Sequence, residues 1–300
     1  MTHYDLVGSN QRKSLFIVAF FVIFVVTVVY VMSIAFGFGS EFTAIALLFS
    51  AGTSFASYWW SDKIVLAISG ARPIKREEFF DFYTVAENLC IGQRMKVPKL
   101  YVIDDTAMNA FATGRDPENA AICATTGLLA RLDRAELEGV IAHELAHVKN
   151  YDIRLMSIVS VLVGSVALLS DWMIRMTAWG GRKRDDNAGG QIGLILFLVG
   201  IVLALLSPII AQLIQLAISR QREYLADATG VAMTKNPQGL IGALQKITAD
   251  VEPLEAANKA TAHLYIANPL KNVHGGVGMF ASMFQTHPPV EERIKALQSL

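Results

Sequence analysis

Cysteine is almost missing from this chain. Two residues in 300, Cys90 and Cys123, lie far apart with no C-x-x-C spacing. That argues against a disulfide framework and leaves both thiols reduced. Cys123 sits in an alternating apolar stretch and reads as a small core residue, not a nucleophile. Charge is scarce too, at 17% of residues against roughly 25% in ordinary soluble domains. Lys plus Arg and Asp plus Glu balance at 26 each. The basic surface that a nucleic acid requires is therefore lacking, and no such partner is expected.

What the chain has in excess is hydrocarbon, with 53% hydrophobic residues and a positive mean hydropathy. Four long runs stand out. Residues 14–36 hold no charge over 23 positions. At about 1.5 Å per helical residue, that is long enough to cross a hydrocarbon core of about 30 Å. No small-x-small cleavage site follows a short core, so this run is expected to be a retained anchor and not a signal peptide. Residues 42–60 end in Trp59 and Trp60, the aromatic pair expected at a membrane interface. Residues 155–176 are interrupted by Asp171 and Arg175, and residues 192–218 carry Pro208, where a bend is expected.

Basic residues orient the first pair. Arg12 and Lys13 precede it, Lys63, Arg72, Lys75 and Arg76 follow it, and the intervening GFGSE has neither Lys nor Arg. The N-terminus and everything from residue 61 onward are thus expected on the cytoplasmic side. The later pair is joined by a loop carrying Arg182, Lys183 and Arg184, which leaves two arrangements open: full crossing, or a hairpin that enters only partly.

Between the pairs, residues 71–150 regain charge. Phe79, Phe82, Tyr83 and Ala86 share one face of an expected helix. Strands are expected within 97–105, 107–114 and 119–127, the last two joined by a turn at RDPE. Residues 220–300 read as mostly helical.

The chemistry is concentrated in GVIAHELAHVKN, residues 139–150. Asp133, three residues before Glu136, caps the expected helix, and Leu137, Val140, Ile141, Leu145 and Val148 give it an apolar stripe. His143 and His147, four apart, leave the same face one turn separated. Two such nitrogens can meet one zinc at about 2.0–2.1 Å. Glu144 projects beside them, placed to take a proton from water at the metal. A third ligand is needed, and SRQREYLADATG supplies Glu223, with Asp227 one turn later to orient a zinc-bound histidine.

HELAHVKNYD, SRQREYLADATG, NAFATG and HPPVEERIKAL, in this order, resemble the HtpX group of membrane-integrated zinc endopeptidases, relatives of the CAAX prenyl proteases. The resemblance implies one zinc per chain, with His143, His147 and Glu223 as ligands, Glu144 as general base, and Asp227 hydrogen-bonded to a zinc histidine, His143 by preference. It places the family's strand motif on Asn109, Ala110 and Phe111, which coincides with an expected exposed sheet edge able to add an extended substrate as a strand. It also places His287 and Arg293 near the zinc, where relatives use such a pair to stabilise an oxyanion.

The fold expected from all of this is mainly α: a polytopic membrane protein with four hydrophobic helices and a cytoplasmic α+β zincin-like catalytic domain carrying a small sheet. Residues 1–70 form a first membrane hairpin and 155–218 a second, while 71–154 and 219–300 supply the two parts of the catalytic domain. The implied activity is peptide-bond hydrolysis at the cytoplasmic face of the inner membrane, with misfolded or damaged membrane proteins or unfolded polypeptides as substrates and the lipid bilayer as partner. The competing readings are a site-2-type intramembrane protease, a zinc transporter and a non-catalytic scaffold. An intramembrane protease or a transporter would bury its ligands within an apolar span, and a dead scaffold would be expected to lose Glu144 first.

Overall fold

The computed structural model describes residues 12–23, 26–27, 30, 41–164, 220–254, 261–266 and 288–300. The expected segment 192–218, residues 165–176 of the one before it, and much of 14–36 lie outside these. The described residues are mainly helical with one small mixed sheet.

Residues 12–23 are helical. Helix α1 (Glu41–Trp59) and the short α2 (Ser61–Ile68) follow. Among the described residues no helix is long and apolar enough to cross a membrane. The run expected to span at 42–60 does form α1, but Thr43, Ser50, Thr53, Ser54 and Ser57 dilute its hydrocarbon. Its polarity is inverted relative to a helix facing water. Ser50, Ser54 and Ser57 are buried, whereas Ile45, Leu48 and Phe55 are exposed.

The sheet runs β1 (Arg72–Pro73), β2 (Lys99–Ile103), β4 (Ala120–Thr125), β3 (Ala110–Gly114) in spatial order. Only β2 and β4 are parallel. The two-residue β1 carries no periodic signal and was not expected; Ile103 and its neighbours were. Successive β4 side chains point to opposite faces. Ala120, Ile122 and Ala124 join the larger core with Phe82, Val85 and Ala86 of α3 (Phe80–Gln93). Ala121 and Cys123 join a smaller core with Val65 and Leu66 of α2. Cys90 of α3 belongs to the larger core, so the two cysteines are buried on opposite faces of the sheet.

The larger core closes around α5 (Arg134–Lys149), which follows the short α4 (Thr126–Arg131). Its start is set by a reciprocal cap: the Glu136 amide donates to Asp133 at 2.9 Å, and the Asp133 amide to Glu136 at 2.8 Å. The expected stripe from Leu137 to Val148 is buried, but so is most of the opposite face. Helix α5 is packed by α3, β3, α6 (Arg220–Thr234) and α7 (Pro237–Ala249), so the amphipathic reading captured only one of its contacts. Against α7 the approach is backbone on backbone, since a Cβ on Gly139 would strike Leu240 and one on Gly239 would strike Ala135. The last helix, α8 (Val290–Leu297), packs on α6 and α7.

Candidate active site

Two helices build the site. On α5, His143 and His147 stand perpendicular with ring centroids 4.7 Å apart, their Nε2 atoms separated by 3.2 Å. Helix α6 brings Glu223 between them, its oxygens 3.8 Å from His143 Nε2 and 3.6 Å from His147 Nε2. The helices can approach so closely because α6 has Gly230 at the crossing: a Cβ there would sit 3.1 Å from the His143 backbone nitrogen.

The three side chains are buried, with one potential ligand atom from each within 4.8 Å of the others. Their outer atoms explain why the inner ones converge. His143 Nδ1 lies 2.9 Å from Asp227, and His147 Nδ1 lies 3.2 Å from Asp152. Each imidazole that donates outward from Nδ1 must present a lone pair at Nε2. Two nitrogen lone pairs and a carboxylate then face one another in a dry site, an arrangement that demands a cation or an extra proton. Two histidines and a glutamate are a zinc-type donor set, so the residues present fit the metal that the sequence implies. Without metal, burial works against charge on His147, but Asp152, Glu223 and Glu144 outweigh it and raise this imidazole to about 9.

Glu144, adjacent to His143, is buried beside the cluster, and its charge acts on both His147 and Arg293. Arg293, from α8, is wholly buried. It was expected near the metal, and its Nη1 does lie 3.9 Å from Glu223. Its fork, however, is closed on Asp227, to which Nε and Nη2 donate at 2.9 and 2.6 Å. Nη1 donates to the Ile266 carbonyl. Burial alone would raise the Asp227 carboxyl, yet Arg293 and His143 hold it down at about 2. His287 lies outside the described residues.

Ala110 and Phe111 open β3, the edge strand in spatial order, with Asn109 just before it, but the three are not exposed. All three are buried. The Ala110 carbonyl accepts from the Ile266 amide, and the Phe111 ring packs edge-on against Tyr265 at 5.0 Å. Contacts with residues some 155 positions away leave no trace in local alternation, which is why the edge looked open.

Asp152 was given no role from sequence. Five residues beyond His147, it would not share a helical face with it. The helix stops at Lys149, and Tyr151 adopts φ 60, turning the chain so that Asp152 returns to His147. A non-glycine residue in this region is the one local signal, and it is visible only in the backbone.

The family model of peptidase family M48 matches residues 83–300. Relatives named Protease HtpX homolog align along the chain. That of Thermoanaerobacter pseudethanolicus is 40% identical over all of this chain and 98% of its own. That of Dictyoglomus turgidum is 42% identical over all of this chain and 95% of its own. That of Tropheryma whipplei is 45% identical over 87% of each. A solved structure, S. mikatae Ste24p, aligns with 98% of this chain and 67% of its own at 19% identity, with a TM-score of 0.46.

Proposed function

Since this chain belongs to peptidase family M48 and is a metallopeptidase, we propose that it is a zinc-dependent endopeptidase held in the cytoplasmic membrane, cutting misfolded, damaged or unfolded polypeptides at its cytoplasmic face. The observation that carries this is the convergence of His143, His147 and Glu223 within 4.8 Å, buried, with Glu144 one residue from the first ligand.

His143, His147 and Glu223 would hold the metal. A zinc ion bound there supplies Lewis acidity at the scissile carbonyl and lowers the pKa of water. Glu144 takes a proton from the attacking water and returns it to the leaving amine. Asp227, fixed by Arg293, holds His143 by its outer nitrogen so that the inner one keeps its aim. Arg293 is thereby spent on Asp227, and His287 is left as the donor of the pair for the oxyanion. Asn109, Ala110 and Phe111 would offer backbone to an extended substrate once the Ile266 contact gives way.

The inverted polarity of α1, with serines inside and Ile45, Leu48 and Phe55 outside, supports a lipid-facing role for the N-terminal hairpin (residues 1–70). So does the exposure of Leu15, Phe16 and Ile23. Residues 155–218 would form the second hairpin, with 71–154 and 219–300 sharing the catalytic domain between them.

The test is proteolysis in liposomes. Purified protein and a destabilised membrane protein are reconstituted together, treated with a zinc chelator, then given back zinc. Cleavage lost on chelation and restored by zinc supports the proposal; cleavage that survives metal removal contradicts it.

A further inference from the structure

His147 is braced in the same way as His143, more loosely and by other residues. Its Nδ1 lies 3.2 Å from Asp152 Oδ2, and the other Asp152 oxygen lies 3.7 Å from Arg222 Nε. All three side chains are buried. The pattern repeats that of His143, where Asp227 takes Nδ1 and Arg293 takes Asp227. The two arginines come from different places. Arg293 arrives on α8, whereas Arg222 is the immediate neighbour of Glu223, so α6 delivers a ligand and a brace together.

We propose that Asp152 is a positioning residue for His147, and that Arg222 fixes Asp152 in turn. This rests on reading His143, His147 and Glu223 as the metal site. The plainer account is that Asp152 is an acid in the first turn of the helix over residues 152–164, where negative charge is favoured anyway. Three observations go further than that. A first-turn acid serves the dipole while facing water, but Asp152 is buried, and burying a carboxylate is costly without specific partners. Its oxygen is aimed at the outer nitrogen of a candidate ligand. The chain also accepts φ 60 at Tyr151 to put it there. Lys13, at the foot of the helical residues 12–23, lies near enough for the charges of both Asp152 and Arg222 to act on it.

The experiment uses full-length protein in detergent: wild type, D152A, D152N, and D250N as control. Asp250 is also largely buried and hydrogen-bonded, but to Met108, Glu252 and Arg131 instead of either histidine. Zinc affinity is measured against a competing chelator, the visible spectrum of the cobalt-loaded protein reports ligand geometry, and unfolding of the metal-free protein reports stability. D152A is expected to bind zinc about 10- to 100-fold more weakly, as loss of such a partner does elsewhere, with an altered cobalt spectrum. D152N retains an acceptor and should lose less, though measurably. D250N should lose stability yet keep wild-type zinc affinity and cobalt spectrum. A folded D152A with the affinity and spectrum of wild type overturns the inference. If D152A does not fold, D152N decides, and wild-type values there overturn it equally. A wild-type protein that binds no zinc would bring down the metal-site reading itself, an outcome distinct from variants that match a zinc-binding wild type.

Discussion

Arg293 closes its guanidinium on Asp227, donating to one carboxylate oxygen at 2.9 Å and to the other at 2.6 Å, while Asp227 holds His143 at 2.9 Å. All three are buried, so the chain from α8 to the catalytic helix has no water to fall back on. Removing Arg293 leaves a carboxylate without its main counter-charge. R293A should lose about 3–5 kcal/mol of stability, measured by denaturant unfolding of the metal-free protein. R293K should recover only part of it, since an ammonium cannot fork.

The same pair sets an acid limit. The ordinary value of Asp227 is 3.8, and the folded protein holds it at about 2. A depressed carboxyl contributes stability fully above its unfolded value and loses it as pH falls through the folded one. Wild type should therefore shed this contribution between about pH 4 and pH 2. In R293A burial is opposed by His143 alone, so this loss between about pH 4 and pH 2 should shrink or reverse in sign. Unfolding midpoints across pH would show it, and identical acid profiles would count against the pairing.

His147 gives the opposite sign. Metal-free, it is raised from 6.5 to about 9, so at pH 7 it carries the extra proton. That proton must leave when metal binds, and zinc loading at pH 7 should release about one proton per ion. Apparent zinc affinity should rise until about pH 9. The metal-free protein should in turn lose stability as pH rises through that value, because a raised histidine stabilises only while protonated. Calorimetry in buffers of different ionisation enthalpy counts the proton directly.

Gly230 sets the distance between the two ligand-bearing helices. A Cβ there would lie 3.1 Å from the His143 nitrogen, and the branched side chain of valine has nowhere to turn. G230V should push α6 outward, weaken zinc binding, and cost about 1–3 kcal/mol from overpacking. A variant with unchanged zinc affinity would mean that α6 does not position Glu223.

The legible part of this molecule was whatever local spacing controls. Asp133 and Glu136 announced the start of α5, and the four-residue spacing of His143 and His147 put both on one face. The repeat of four between Glu223 and Asp227 placed the partner helix. Features made by distant packing were hidden. Nothing local showed that Glu136 and Glu144 would be buried; Lys246, 110 residues later, meets Glu136 at 2.6 Å, and Glu144 packs beside the two histidines. Asn109 to Phe111 read as an open edge because Tyr265 and Ile266 cover them from far along the chain. Asp152 was hidden by one backbone angle at Tyr151, and Arg293 by the lack of any local reason to meet Asp227, 66 residues earlier. The long apolar runs were plain as composition, but composition could not reveal that α1 turns its serines inward.

On the proposed mechanism, Glu144 moves the proton at a zinc site built by His143, His147 and Glu223. The most direct test compares wild type with E144Q in detergent, counting bound zinc and cleavage of an unfolded polypeptide in the same preparations. E144Q should hold as much zinc as wild type and lose cleavage by at least about a hundredfold, the lower end for a positioned general base. An E144Q protein that keeps its zinc and cleaves like wild type would contradict it.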